Sequence, residues 1–173
     1  ILIVSTYKES DDYWVDFLTN NFKYKAEDVK FTIIWDQLII NIKKYLIRWN
    51  KKTLISLKSN VKNYEYDYFN DQLGDLVTIK LHTRHGVYHC INNAQIIISV
   101  GCTTLAEASG MGKKTLEIDY SKSQVFTPYQ QRGLWHLSDS SYKEFEKRIN
   151  SIINMNNEEY ELKIKDYKEF IID

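Results

Sequence analysis

Short apolar runs alternate with longer amphipathic stretches along the chain, and the two patterns predict strands and helices in turn. Apolar, mostly β-branched runs bounded by turn residues are typical of buried strands. They predict strands at residues 1–5, 53–57, 77–81, 96–100, 115–119 and 134–137. Apolar residues that recur every three or four positions predict helices. These are expected at residues 11–21, 31–49, 64–73, 105–111, 142–153 and 158–171, with a loop and a short helix over 82–93. Ser138 or Asp139 is expected to cap the helix that begins at Tyr142.

The helix predicted over residues 31–49 carries a wide apolar stripe. Its apolar residues follow the helical period at Ile34, Leu38, Ile42, Tyr45 and Trp49. The stripe is widened by Ile33, Ile39, Ile40 and Leu46. Such a width indicates burial on more than one side, as in a helix wedged between a sheet and other helices. The alternative is a face that contacts a further domain or a membrane surface.

The alternation of strands and helices predicts an α/β fold in a single domain over residues 1–173. We expect a doubly wound, mostly parallel sheet of about six strands, with helices on both faces. If the fourth strand returns to the far side of the first, the strand order reverses between them. Ligands bind outside the carboxyl ends of strands at such a point. Those ends carry Thr6-Tyr7-Lys8 and the turn from Gly101 to Thr104.

Composition narrows the range of partners. The chain has 23 basic and 23 acidic side chains, so its formal net charge is zero. This balance gives no support to a nucleic acid or an anionic membrane as the main partner. Cys90 and Cys102 follow no disulfide spacing, which predicts free thiols in a reducing compartment. The sequence starts at Ile1 inside a strand pattern, without Met or a signal peptide, so we expect a piece of a longer cytoplasmic protein.

The turn Gly101-Cys102-Thr103-Thr104 is the best candidate for a binding site, because it joins a buried strand to a helix. The first amides of a helix lack partners and the helix dipole is positive there, so an anion such as phosphate binds well. Gly101 lets a ligand approach the backbone closely. The alternative is an ordinary helix N-cap in which a threonine satisfies the helix end.

Glu107 is the one acid in the helix that follows this turn. The neighbouring residues Leu105, Ala106, Ala108 and Met111 predict a mostly buried helix. A buried carboxylate needs hydrogen-bond donors, and a ribose diol supplies two. The alternative is that Glu107 only complements the helix dipole.

Basic residues beside the expected crevice are weaker candidates. Lys58 ends the second strand and is placed to neutralise a diphosphate, although most lysines are simply solvated. His82, His85 and His89 have a spacing that can bind zinc, but neither an acid between them nor a cysteine pair supports a metal site, so loop histidines are favoured. His85 or Arg84 is placed to contact a nucleotide base. No nucleophile and base pair stands out as catalytic.

Residues 94–119 resemble the donor-nucleotide half of GT-B glycosyltransferases, and bacterial surface-polysaccharide transferases in particular. In that family a strand leads into a G-S-T-T-like turn, a helix with Glu-Ala, a Gly-Lys pair and another strand. The corresponding residues here are Gly101 to Thr104, Glu107-Ala108, Gly112-Lys113 and 114–119. Cys102 departs from the pattern, since a serine is common at that position. Outside these residues the resemblance is one of element order only.

The resemblance implies the Rossmann-like, C-terminal half of a two-domain protein that binds a nucleotide-diphosphate sugar as substrate and uses no cofactor or metal. It implies that the turn holds the diphosphate and that Glu107 holds the ribose. The helix N-terminus and basic groups would stabilise the departing nucleotide. The acceptor, a glycan or a lipid-linked glycan, and the catalytic base would belong to an N-terminal domain, so the isolated chain would bind donor without turning it over. Peripheral association with the inner face of the membrane is a further expectation.

Two alternatives stay open at this point. One is the matching half of a non-hydrolysing nucleotide-sugar 2-epimerase, which shares the fold but needs acids, histidines and arginines that converge on the sugar. The other is a non-catalytic α/β module in which the turn is only a helix cap and the helix at residues 31–49 docks a partner.

Overall fold

A computed structural model describes residues 1–8, 12–26, 29–57, 63–81, 86–121 and 133–168. Its strands are β1 (Leu2–Val4), β2 (Leu54–Leu57), β3 (Thr78–Leu81), β4 (Ile97–Ser99), β5 (Thr115–Ile118) and β6 (His136–Leu137). Its helices are α1 (Asp12–Phe22), α2 (Phe31–Trp49), α3 (Asn63–Leu73), α4 (Gly86–Asn93), α5 (Thr103–Gly110), α6 (Tyr142–Asn154) and α7 (Asn157–Lys168). A 3-10 turn at Gly74–Leu76 follows α3. Each predicted strand and helix is confirmed within the described residues. The ends move by two residues or fewer, except that the predicted end of the last helix, at residue 171, lies outside the described residues.

The six strands form one sheet in the order β3-β2-β1-β4-β5-β6, and all neighbouring pairs are parallel. Leu2 of β1 pairs with Leu54 of β2 on one side and with Ile97 of β4 on the other. The predicted doubly wound sheet is thus confirmed, and the order reverses between β1 and β4. This reversal opens the crevice in which ligands of such sheets bind.

Side chains alternate between the two faces of the sheet, and each face has its own core. Ile3 belongs to a large core to which α2, α3, α6 and α7 contribute. Leu2 and Val4 point the other way, into a smaller core with Ile91 of α4 and Leu105 of α5. Because helices cover both faces, the central strands are apolar throughout rather than alternating.

Most of the wide stripe of α2 is buried, where the helix contacts the sheet, α3 and α6. Ile39 and Leu46 lie in the core, as predicted, but Ile33 is 55% exposed and Ile40 is 47% exposed. The predicted helix wedged between the sheet and other helices is confirmed, because α2 packs on the sheet between α3 and α6. The prediction is wrong only for Ile33 and Ile40, which lie on the outer side of α2, where no other layer meets it among the described residues.

The cap of α6 also differs from the prediction. Ser141 is the N-cap, and its hydroxyl accepts a 3.4 Å hydrogen bond from the Glu144 amide. Asp139 instead accepts a 2.8 Å bond from the Ser141 amide, and this bond lowers the pKa of Asp139. Ser138 and Asp139 lie two or three residues before the N-cap and do not cap the helix, because it begins at Tyr142.

Candidate functional site

Two hydroxyl groups tie the carboxyl ends of β1 and β4 together where the strand order reverses. The Thr6 hydroxyl donates to the Val100 backbone oxygen at 2.8 Å, and the Ser99 hydroxyl donates to the Val4 backbone oxygen at 2.6 Å. The structure thus brings Thr6 to the predicted crevice. Its one hydroxyl hydrogen is used for the contact between strands, which leaves only acceptor capacity for a ligand.

The turn that begins at Gly101 leads the chain from β4 into α5. Gly101 has a φ of +49°, a left-handed conformation that residues with a side chain adopt only with strain. Cys102 is the N-cap, its backbone is extended, and its side chain makes no cap hydrogen bond. The alternative in which a threonine caps this helix is therefore wrong. A thiol is also a weak acceptor, so Cys102 is poorly suited to that role.

The start of α5 is open to solvent. Gly101 and Thr103 are exposed, and Cys102 and Thr104 are half-buried. The Leu105 amide donates to the Cys102 backbone oxygen at 3.0 Å. The amides that precede it at the start of a helix have no intrahelical partner, and together with the positive dipole end they attract an anion. The arrangement is chemically suited to a phosphate group, with the two threonine hydroxyls as further donors.

Glu107 lies one turn into α5, and its side chain is exposed. The predicted burial of this acid is wrong, because a helix on the outside of the sheet buries only the side that faces the strands. The buried residues of α5 are Leu105, Ala108 and Ser109. Met111, which was expected to be buried, is 44% exposed.

The Glu107 carboxylate does have a donor, although not one that the sequence pattern identified. The Tyr88 hydroxyl on α4 donates to Glu107 Oε2 at 2.8 Å. This hydrogen bond, together with the negative charge of Glu107, raises the pKa of Tyr88. An ionised carboxylate has about four acceptor positions, so the bond from Tyr88 leaves room for both hydroxyls of a ribose.

An aromatic group lies beyond the end of β1 on the opposite face of the sheet. The ring of Tyr7 stacks on that of Tyr68, with centroids 3.8 Å apart and planes 9° apart. The Tyr68 hydroxyl donates to Asp36 Oδ1 at 2.7 Å, and burial followed by this bond raises the pKa of Tyr68. Beneath the rings, the Ser5 hydroxyl donates to the buried carboxylate of Glu65. This group was not predicted, although tyrosines at helical spacing in α3 were a usable signal.

Two buried acids at the carboxyl end of β5, Glu117 in the strand and Asp119 directly after it, were also missed. Glu117 is 6% exposed and Asp119 is fully buried. Asp119 Oδ1 accepts hydrogen bonds from the Ser121 amide and hydroxyl, whereas Glu117 Oε2 has no hydrogen-bond partner among the described residues. Burial, and then the Asp119 charge, raises the pKa of Glu117 to about 8. Acids at alternate positions of an otherwise apolar strand were the available signal.

Several candidate residues lie outside the described residues. These are Lys58, His82, Arg84 and His85. His89 is described, and it lies on α4 rather than in a loop. Within the parts of the chain that the structure describes, no group of three His, Cys, Asp or Glu residues is placed to hold a metal ion. Cys90 and Cys102 are free thiols, as predicted.

The fold is a parallel, Rossmann-like α/β sheet with helices on both faces. The structure is similar to the crystal structure of TarM, a wall teichoic acid glycosyltransferase with the GT-B fold, at a TM-score of 0.55 and 15% sequence identity. The similarity covers 99% of this chain and 31% of TarM, so the chain spans about a third of that protein's length.

At this level of identity the similarity shows the fold alone. No protein-family model matches the sequence, and no curated protein matches it. Among the described residues, every helix is too short or too polar to cross a bilayer.

Proposed function

We propose that the chain is the donor-binding half of a glycosyltransferase that takes part in the synthesis of cell-surface polysaccharide. The observation that carries the proposal is the open turn at Gly101, which lies where the strand order reverses and leads into a helix whose N-cap side chain makes no hydrogen bond to it. The glycosyltransferase-like fold supports the same conclusion. The substrate class is a nucleotide-diphosphate sugar.

The diphosphate would lie against the start of α5. Its negative charge is stabilised by the helix dipole and by amides that no side chain of the N-cap satisfies. Gly101 has no Cβ, so a phosphate oxygen can approach the backbone there. When the glycosidic bond to the nucleotide breaks, charge develops on the leaving diphosphate, and preorganised donors at this position would lower the barrier.

The ribose would lie one turn further along α5. Glu107 is exposed and oriented by Tyr88, so both hydroxyls of a ribose can donate to the carboxylate. Each hydrogen bond to a charged group contributes on the order of 1.5–3 kcal/mol. Its exposure makes Glu107 better suited to bind a ribose than a buried acid, because a solvent-accessible carboxylate contacts a ligand without any rearrangement of the protein.

In this proposal the acceptor and the catalytic base belong to a further domain, in which the acceptor is a glycan or a lipid-linked glycan. The isolated chain would then bind donor and fail to transfer sugar. The full-length protein would act in the cytoplasm, at the inner face of the membrane.

The test is a chemical-shift titration of the chain with UDP, CMP, GDP and ADP. A half-site binds weakly, and a dissociation constant near 1 mM is only about −4 kcal/mol, so the method must detect millimolar binding. We expect saturable shifts centred on residues 101–107 with one nucleotide. The 2′,3′-dideoxy form of that nucleotide should bind more weakly, because it lacks the ribose diol.

A matched pair of variants separates specific binding from general charge effects. Glu107→Ala should weaken binding of the ribonucleotide and leave binding of the dideoxy form unchanged. Glu158→Ala removes an exposed acid from the first turn of α7 and serves as the control. The absence of shifts with all four nucleotides would count against the donor site and in favour of a non-catalytic module.

A further inference from the structure

The outer side of α2 carries a row of three isoleucines. Ile33, Ile40 and Ile47 are 55%, 47% and 67% exposed. The three isoleucines are spaced seven residues apart, and seven residues turn the helix by about 20° less than two full turns. The three side chains therefore point in nearly the same direction and form one strip along the helix. Ile33 and Ile47 lie about 10 Å on either side of Ile40. Isolated exposed apolar residues are ordinary, but three in line on one helix indicate a contact surface.

Polar residues flank this strip in a symmetric pattern. Asp36 is four residues before Ile40 and Lys43 is three residues after it. The directions of these two positions around the helix axis differ by only about 20°, so both residues lie on the same flank of the strip. Gln37 and Lys44 lie on the other flank for the same reason. All four are exposed or half-buried. An acid thus stands before the central isoleucine and a base stands after it.

We propose that this surface is the interface of a homodimer in which two α2 helices pack antiparallel about a two-fold axis at Ile40. That axis places Ile40 against its own copy and Ile33 against Ile47 of the second copy. On the shared flank, Asp36 meets Lys43 of the second copy, with the two residues within about 2 Å along the helix axis. Symmetry repeats each of these contacts, as an isologous interface requires.

The charge pattern favours this arrangement over its rivals. In a parallel pair each flank would face the opposite flank of the second copy, which sets Asp36 against Gln37 and Lys43 against Lys44, and facing like charges are destabilising. An anionic membrane would attract the lysines, but Asp36 and Gln37 flank the same strip and would oppose insertion. A pair of helices alone buries less area than standard stable interfaces, so we expect a reversible dimer that dissociates in the micromolar to millimolar range.

The proposal is independent of nucleotide binding and is tested by sedimentation velocity on the 173-residue chain across that concentration range. Ile40→Glu brings two carboxylates together at the two-fold axis and should raise the dissociation constant by about 100-fold or more. Leu162→Glu is the control, because Leu162 of α7 is the most exposed of the large apolar residues described, at 76%. It should leave association unchanged.

A charge exchange tests the antiparallel pairing itself. Asp36→Lys should weaken the dimer by about tenfold, and adding Lys43→Asp should restore it to within about threefold of the native value. Asp36→Lys also removes the bond from Tyr68, but that loss is common to both variants. A chain that stays monomeric at millimolar concentration overturns the proposal, and so does a dimer that Ile40→Glu does not affect. Binding to vesicles of anionic phospholipid without self-association would assign the strip to a membrane instead.

Discussion

The Tyr88 hydroxyl on α4 and the Glu107 carboxylate on α5 form a 2.8 Å hydrogen bond that joins two helices on the same face of the sheet. The two residues are 19 positions apart, and α4 precedes β4 whereas α5 follows it. Tyr88 of α4 therefore orients the Glu107 carboxylate, which is the group proposed to bind the ribose. A carboxylate fixed in this way loses less side-chain entropy when a ligand binds.

Glu107→Ala should weaken binding of the preferred nucleotide by about 1–3 kcal/mol, through the loss of charge-assisted hydrogen bonds. The fold should survive, because Glu107 is exposed and contributes nothing to the core. Calorimetry measures the affinity, and circular dichroism checks the fold. Unaltered binding would remove the ribose role from Glu107 while leaving the diphosphate site open to test.

Tyr88→Phe should weaken nucleotide binding severalfold, because it releases the carboxylate without removing it. If Tyr88 acts only through Glu107, its effect should vanish in the Glu107→Ala background. A double-mutant cycle by calorimetry measures this coupling. Additive losses would mean that the Tyr88 hydroxyl contacts the ligand directly.

Gly101→Ala should destabilise the protein by about 1–2 kcal/mol, since a φ of +49° is strained for any residue with a Cβ. The added methyl group should also reduce nucleotide binding, because it lies where the phosphate would approach. Gly110→Ala is the matched control at the other end of α5, where a Cβ would meet no atom within 4 Å. It should be neutral or slightly stabilising in denaturant unfolding. Equal stability of the two variants would contradict the strain at Gly101.

Ser141→Ala should destabilise the protein by about 1 kcal/mol, because the Ser141 hydroxyl caps α6 by accepting from the Glu144 amide. Ser138→Ala removes the hydroxyl of a nearby exposed serine and should change the free energy of unfolding very little. Urea unfolding of both variants measures the difference. A larger loss in Ser138→Ala than in Ser141→Ala would return the capping role to the originally predicted position.

Most of the fold could be predicted from the spacing of apolar residues, and the reason is physical. In a doubly wound sheet each strand is buried on both faces and each helix buries one stripe, so period and run length separate the two states clearly. The helix at residues 31–49 was predicted with the bounds that the structure gives it. The reversal between β1 and β4 was only a conditional expectation, and the observed strand order confirms it.

What the pattern did not predict depends on contacts between distant residues. The exposure of Glu107 is set by how α5 lies on the sheet, and its bond from Tyr88 joins separate helices. The stack of Tyr7 on Tyr68 and the placement of the acids on β5 likewise depend on three-dimensional neighbours. The outer strip of α2 was visible as apolar residues, but its exposure was not, since periodicity does not say how many layers cover a helix.

Glu117 is a carboxyl group in the buried part of β5, next to His136 of β6 in the sheet register. Burial, and then the Asp119 charge, raises its pKa from 4.5 in the unfolded chain to about 8 in the folded protein. Between these two pH values the folded protein keeps a proton that the unfolded chain has released. This group therefore stabilises the fold most below pH 4.5, and its contribution falls as the pH rises towards 8. The steepest loss is about 1.4 kcal/mol per pH unit.

Glu117→Gln should remove this pH dependence, because a neutral amide of similar shape has no proton to release. The variant should be more stable than the native protein at pH values near and above the raised pKa, by up to a few kcal/mol. Urea unfolding at several pH values measures the two profiles, and Glu158→Gln, at an exposed position on α7, is the control that should follow the native profile. If the Glu117→Gln profile also runs parallel to the native one, Glu117 is ionised in the folded protein, and its buried carboxylate then has a donor outside the described residues.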